Sequence, residues 1–375
     1  MTTGRIAFLD GIRGFAAMTV VLCHALQAWL DLGDARSRWL WTGPFAFLTD
    51  GEAAVLLFFV LSGVALSWGS FHGGPDPFVG TRTTLRWLVA RSLRIYGPFA
   101  VTLVLMAIAR SAFWDPAPTS PLRSSWFEYF SSIEATRENL LQDLLLPVQY
   151  PRLVAQGWSL TEEMRFAFFL PLLLPVAARS TGATLACLVL AAGFGGVSRY
   201  VLFFAFGILI AKHWNVLRES LVRRSPAEAL LLLVSSLALY SVARWGPWHF
   251  PVLTGAIEVV VRLDSLTAAG AALLLVVPLA SPAIRAPLES GPAQWLGRVS
   301  FSLYLVHLLP VFYLSPRIVR KLNNWGLNDP FAVALVSALG ACLASMPLAH
   351  CFQRWVEAPC TEGARRILRR GAALG

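Results

Sequence analysis

Apolar residues recur along this chain in runs long enough to cross a bilayer, separated by short polar stretches. At about 20 residues per crossing, the pattern predicts helices near 12–30, 52–69, 92–112, 158–178, 183–196, 199–212, 228–244, 265–281, 296–314 and 330–352. The expected fold class is all-α, a polytopic transmembrane helical bundle of about ten spans. The runs at 183–196 and 199–212 are short for a full crossing, and 251–263 reads as a shallow or re-entrant piece. A transmembrane domain over 1–353 is expected, with a larger connecting segment at about 113–157 and a short basic tail over 354–375. Arg13 and His24 interrupt the first apolar stretch and no small-residue cleavage site follows, so this stretch is expected as a retained helix rather than a signal peptide.

Composition strengthens the membrane reading. Hydrophobic residues make up 56% of the chain and charged residues 14%, against about 25% charged in soluble domains. The net charge of +10 matters less than where the charge lies. Basic residues cluster at Arg82, Arg86, Arg91 and Arg94, at Lys212, Arg218, Arg223 and Arg224, and at Arg365, Arg366, Arg369 and Arg370. These clusters fall between or after apolar runs, as cytoplasmic loops do. With both termini cytoplasmic, the loops near 70–91, 179–182, 213–227 and 282–295 and the tail lie inside and hold most of the arginine clusters; the exception is the outer loop 315–325, with Arg317, Arg320 and Lys321. The segment 113–157 is then outside, carries Trp126, Glu128, Tyr129, Glu134 and Glu138, and is long enough to be functional. A nucleic-acid binder would need a basic face with interleaved aromatics on a soluble domain, which this pattern excludes. The cysteines Cys23, Cys187, Cys342, Cys351 and Cys360 make neither a metal site nor a disulfide framework.

An ionisable side chain inside a span costs about 2.5–3.5 kcal/mol, so each one needs a partner, a cavity or a task. In the first span Arg13 and His24 stand eleven residues apart. At about 100° and 1.5 Å per residue they share nearly one helix face, roughly 16 Å apart. Taken alone they read equally as a snorkelling arginine and a histidine bonded to a neighbouring helix. Ser62 and Gly63 in FFVLSG read first as small residues that let helices approach. Arg91 and Arg94, three apart on one face, suit membrane anchoring or a clamp on phosphates. The start of the fourth span, GWSLTEEMRF, places Glu162, Glu163 and Arg165 where a helix start favours carboxylates, with Ser159 or Thr161 to cap it. Ser300, Tyr304 and His307 lie within the ninth.

Together and in this order, LDGIRGFAAMTVVLCH, FFVLSG, RSLRIYGP, WSLTEEMR, GRVSFSLYLVH and RWVEAPC resemble the motifs of the acyltransferase-3 family of bacterial membrane acyltransferases, over residues 9 to about 360. The resemblance implies about ten spans in the bacterial cytoplasmic membrane. It implies an acyl group, usually acetyl, taken from cytoplasmic acyl-CoA and placed on a hydroxyl of a carbohydrate or related acceptor, with no permanently bound cofactor or metal. The family's Arg-x10-His pair falls on Arg13 and His24, its Arg-x-x-Arg on Arg91 and Arg94, and the acid of its Trp-Ser-Leu-x-x-Glu segment on Glu163. Asp10, Ser62, Trp158, Ser159, Arg165, Tyr304 and His307 occupy further motif positions. A long C-terminal hydrolase-like domain, as some relatives of that family carry, is not expected from this sequence. Glu357 stands before Ala-Pro, where a basic residue before the proline is common, and reads as structural.

From this, His24 is expected as general base on the acceptor hydroxyl, a task suited to an imidazole. Arg13, Arg91 and Arg94 are expected on the donor's phosphates, and Glu163 on a protonated partner or on acceptor hydroxyls. An acyl-enzyme on His24 or Ser62 is the mechanistic alternative. The rival from another class is a proton-coupled transporter with His24, Glu163 and His307 as relay, against which stands the lack of a second copy of the Arg-to-His face.

Overall fold

The computed structural model describes residues 6–30, 35–74, 78, 80–113, 124–146, 150–184, 186, 200–249 and 263–372, which hold helices and no strand. In chain order the helices are α1 (Ala7–Gln27), α2 (Ala35–Thr42), α3 (Gly51–Phe71), α4 (Thr81–Phe113), α5 (Ser125–Ser132), α6 (Arg137–Asp143), α7 (Gly157–Arg179) and α8 (Val201–Lys212). There follow α9 (Trp214–Val222), α10 (Pro226–Tyr240), α11 (Val242–His249), α12 (Leu263–Val276), α13 (Pro282–Glu289), α14 (Gly291–Val306), α15 (Ser315–Asn324), α16 (Pro330–Phe352) and α17 (Ala358–Ala372). Apart from their ends, the predicted helix at 183–196 and the piece at 251–263 lie outside the described residues.

Among the described residues four helices are long and apolar enough to cross a membrane: Ala7–Gln27, Gly51–Phe71, Thr81–Phe113 and the continuous run Pro330–Arg369. Three further pairs qualify together but are bent: α8 with α9 by 72°, Ser265–Leu279 with α13 by 98°, and α14 with Pro310–Asn324 by 57°. At 23 residues α7 is long enough, but Glu162, Glu163 and Arg165 sit in its first turns. Three of the predicted loops hold helix. The loop expected over 70–91 is helical from Thr81, so Arg82, Arg86, Arg91 and Arg94 all ride on the 33-residue α4. The loops at 213–227 and 282–295 likewise hold α9 and α13.

The chain forms two compact units with interleaved segments: Met1–Ala16, Trp41–Val79 and Phe166–Arg298 in the first, and Ala17–Leu40, Gly80–Arg165 and Val299–Gly375 in the second. In the first, backbone meets backbone at glycines. A side chain on Gly63 would strike the carbonyl oxygen of Phe204 and one on Gly207 that of Val60, so FFVLSG is where α3 and α8 touch. A Cβ at Gly14 would lie 2.7 Å from the backbone nitrogen of Gly297, which brings α1 onto α14. Phe204 stacks between Phe59 at 4.7 Å and Phe166 at 4.0 Å.

In the second unit α4 packs along α17, with Gly97 facing Cys360 and Gly363 facing Leu93. Ser124 and Thr136 cap the short helices α5 and α6 of the connecting segment by accepting from the Phe127 and Asn139 amides at 3.2 Å. The end of α14 is set by chemistry: Pro310 has no N–H to continue the α-helical ladder, and Pro310–Leu314 winds as a π-helix.

Candidate active site

The first unit holds Arg13. Its Nη2 donates to the carbonyl of Gly297 at 2.8 Å and lies 3.2 Å from Asp10 Oδ1, one turn earlier on α1. The glycine contact between α1 and α14 therefore also seats this guanidinium. Ser62 adjoins the Gly63 contact in the same unit.

The second unit gathers most of the remaining predicted residues. His24 Nδ1 is 2.9 Å from His307 Nε2. The far nitrogen of His307, Nδ1, is 2.8 Å from the carbonyl oxygen of Tyr304 and 3.2 Å from that of Leu303. Trp126 of α5 stacks on the His24 ring at 5.1 Å with 12° between planes, and on Phe312 at 5.7 Å. His307 is fully buried, whereas His24 is half-buried. A polar knot holds this end of α14. Gln156 Nε2 donates to the carbonyls of Leu305 at 2.7 Å and Tyr304 at 3.3 Å, the Tyr304 hydroxyl donates to Gln156 O at 2.9 Å, and Ser159 Oγ lies 2.6 Å from that hydroxyl. The side chains thus serve carbonyls at the end of α14, where the helix bends.

The two adjacent glutamates point different ways, as neighbours about 100° apart on a helix must. Glu163 pairs with Arg91 of α4, both largely buried. Glu162, buried, accepts from the Tyr150 hydroxyl at 2.7 Å and from Arg165 Nη1 at 2.9 Å, so it anchors the start of α7. Arg94 is exposed, and Trp158 is half-buried in the first turn of α7. Glu357 accepts from Ser302 Oγ at 2.6 Å.

Three residues of this unit were not singled out as site residues by sequence pattern. Trp126 lies in a polar connecting segment. Gln156 lies one residue before the helical motif. Arg110 is buried on α4, with Nη1 donating to the carbonyls of Phe130 at 2.9 Å, Ser131 at 2.7 Å and Ile133 at 2.6 Å. These oxygens close the C-terminal end of α5, so Arg110 pins the helix that carries Trp126. A buried arginine among apolar residues was the one available signal.

Comparison with known proteins bears on the chemistry. The acyltransferase domain family matches residues 6–350. The chain belongs to the acyltransferase-3 family. It is 26% identical over 400 aligned positions to acyltransferase MdmB of Streptomyces mycarofaciens, covering 96% of this chain and 94% of that protein. It is also 26% identical over 291 positions to acyltransferase R4 of a Phoma species, covering 68% of this chain and 61% of that protein. No solved structure is a significant match. This acyltransferase is therefore an enzyme, and with its apolar helices a multi-pass membrane protein. Acyl transfer to a hydroxyl needs a group that accepts the hydroxyl proton and returns one to the leaving group. In this acyltransferase the half-buried His24 imidazole is bonded along one edge to His307 and stacked on one face by Trp126.

Proposed function

We propose that this enzyme transfers an acyl group, acetyl by family resemblance, from cytoplasmic acyl-CoA to a hydroxyl of a carbohydrate or related acceptor, with His24 as general base. The observation that carries the reading is the mounting of His24: bonded to His307 at 2.9 Å, stacked under Trp126, and in the same unit as the Arg91–Glu163 pair. The imidazole takes the acceptor's hydroxyl proton as that oxygen adds to the thioester carbonyl. The tetrahedral adduct collapses by breaking the carbon–sulfur bond, and the coenzyme A thiolate takes the proton back from the imidazolium. The products are an O-acyl ester and free thiol.

Arg91, Arg94 and Arg13 are assigned to the donor's phosphates, for which forked guanidinia are suited. Glu163 is assigned to orienting Arg91 through their ion pair, and Arg13 is oriented by Asp10 and the Gly297 carbonyl. Ser159, Tyr304 and Gln156 support the histidines from behind. Arg165 and Trp158 belong to the helix start that carries Glu163. About ten spans with both termini cytoplasmic, in a bacterial inner membrane, place the arginines of α4 toward the donor and the α5 segment toward the acceptor.

The donor assignment is tested on Arg94, which is exposed, so that its loss spares packing. A charge-assisted contact contributes about 1.5–3 kcal/mol, so Arg94→Gln weakens acetyl-CoA binding by about 10–100-fold, while His24→Ala binds as wild type does. Titration of acetyl-CoA into purified protein in lipid measures both. Equal affinity in wild type and Arg94→Gln contradicts the assignment.

A further inference from the structure

We propose that His307 is a positioning residue that sets which nitrogen of His24 carries the proton, an inference that rests on His24 being the base. A carbonyl oxygen can only accept, so His307 Nδ1, at 2.8 Å from Tyr304 O and 3.2 Å from Leu303 O, carries its hydrogen there. A neutral imidazole has a single N–H, and His307 is fully buried, where an uncompensated charge is costly. Its Nε2 is therefore an acceptor. The partner 2.9 Å away, His24 Nδ1, must donate. His24 then holds its proton on Nδ1, and its basic lone pair is on Nε2, at the opposite edge of the ring.

The polarity of the chain runs one way: His24 Nδ1–H to His307 Nε2, and His307 Nδ1–H to the backbone. Its fixed end is the carbonyl of Tyr304, and the Gln156, Ser159 and Tyr304 knot holds that turn of α14. On the other side the Trp126 and Phe312 stack fixes the plane of the His24 ring. When Nε2 takes the acceptor's proton, His24 becomes an imidazolium whose Nδ1–H still points at an acceptor, and that hydrogen bond becomes charge-assisted and stronger. In serine hydrolases a carboxylate does this for the histidine. Here a neutral imidazole does it, a weaker acceptor that leaves the imidazolium readier to return its proton to the thiolate.

The test reads the proton directly. Full-length protein labelled with nitrogen-15 at histidine is placed in lipid, and the six histidines are resolved by nitrogen-15 shifts, with His24 assigned by its loss in His24→Ala. The proposal expects His24 protonated on Nδ1 and not on Nε2. In His307→Leu, which has no acceptor, that preference is lost. In His307→Gln, whose amide oxygen can accept, it is kept. The activity arm follows coenzyme A release from acetyl-CoA with an extract of surface glycans. His307→Leu lowers kcat by about 10²–10⁴-fold with KM for acetyl-CoA unchanged, and His307→Gln recovers at least about tenfold of it. A wild-type His24 protonated on Nε2, or a tautomer indifferent to His307→Leu, overturns the proposal without any variant having to turn over. Full activity in His24→Ala sinks instead the base assignment on which it rests, and loss in His24→Ala with wild-type kcat in His307→Leu sinks this inference alone.

Discussion

At the scale of single residues, the paired glutamates Glu162 and Glu163 take different partners, Tyr150 and Arg165 for the first and Arg91 for the second. Glu162 takes the hydrogen of Tyr150, and burial together with this carboxylate pushes the tyrosine hydroxyl up to about 12. A tyrosine in the unfolded chain titrates near 10, so the folded value is raised. The stability this contact contributes is therefore complete below pH of about 10 and is lost as pH rises through about 12. Between those limits wild type should lose thermal stability more steeply than Tyr150→Phe, and parallel slopes in the two would show that the hydroxyl contributes nothing. Sequence could place Arg13 and His24 on one face because helix geometry alone decides that. It could not say that Glu162 meets Tyr150 while Glu163 meets Arg91, nor that His307 meets His24 across 283 residues, because those contacts are made by packing.

At the scale of elements, α5 depends on a residue of another helix. Arg110 gives hydrogen bonds to three carbonyls at its C-terminal end. Removing the donor leaves those acceptors unserved at a cost of about 1–3 kcal/mol. Arg110→Leu is thus expected to speed amide exchange across Ser125–Ser132 while α4 keeps its protection, and to lower turnover because Trp126 loses its seat on His24. Unchanged exchange in α5 would count against the staple. Apolar run length predicted the positions of α1, α3, α7 and α16 well, since a bilayer imposes both length and composition. It began α4 too late, at 92 rather than Thr81, because Arg82 and Arg86 read as loop although arginine is a good helix former. The π-helix after α14 was equally illegible: a proline marks a break, but not the turn that follows it.

At the scale of the whole molecule, the charge distribution is the main guide to orientation. The arginines of α4 and of α17 belong to two helices that pack together at Gly97 and Gly363, so one orientation puts both groups on the same side of the membrane. With that side cytoplasmic, a membrane-impermeant maleimide should label Glu128→Cys in intact cells, and Arg369→Cys only after lysis, in a cysteine-free background. The reverse pattern would invert the topology and put the donor assignment on the wrong face. The all-helical class and the family were legible from six short motifs in order. The division into two units was not, since each is assembled from three separate stretches of chain.

The central claim is that His24 moves the proton in acyl transfer. Its most direct test is coenzyme A release from acetyl-CoA by the purified protein in lipid, with and without surface-glycan extract, for wild type and His24→Ala. The account predicts acceptor-dependent release by wild type and a loss of about 10²–10⁴-fold in a His24→Ala protein that is folded and binds acetyl-CoA normally. Release by His24→Ala at the wild-type rate would contradict it.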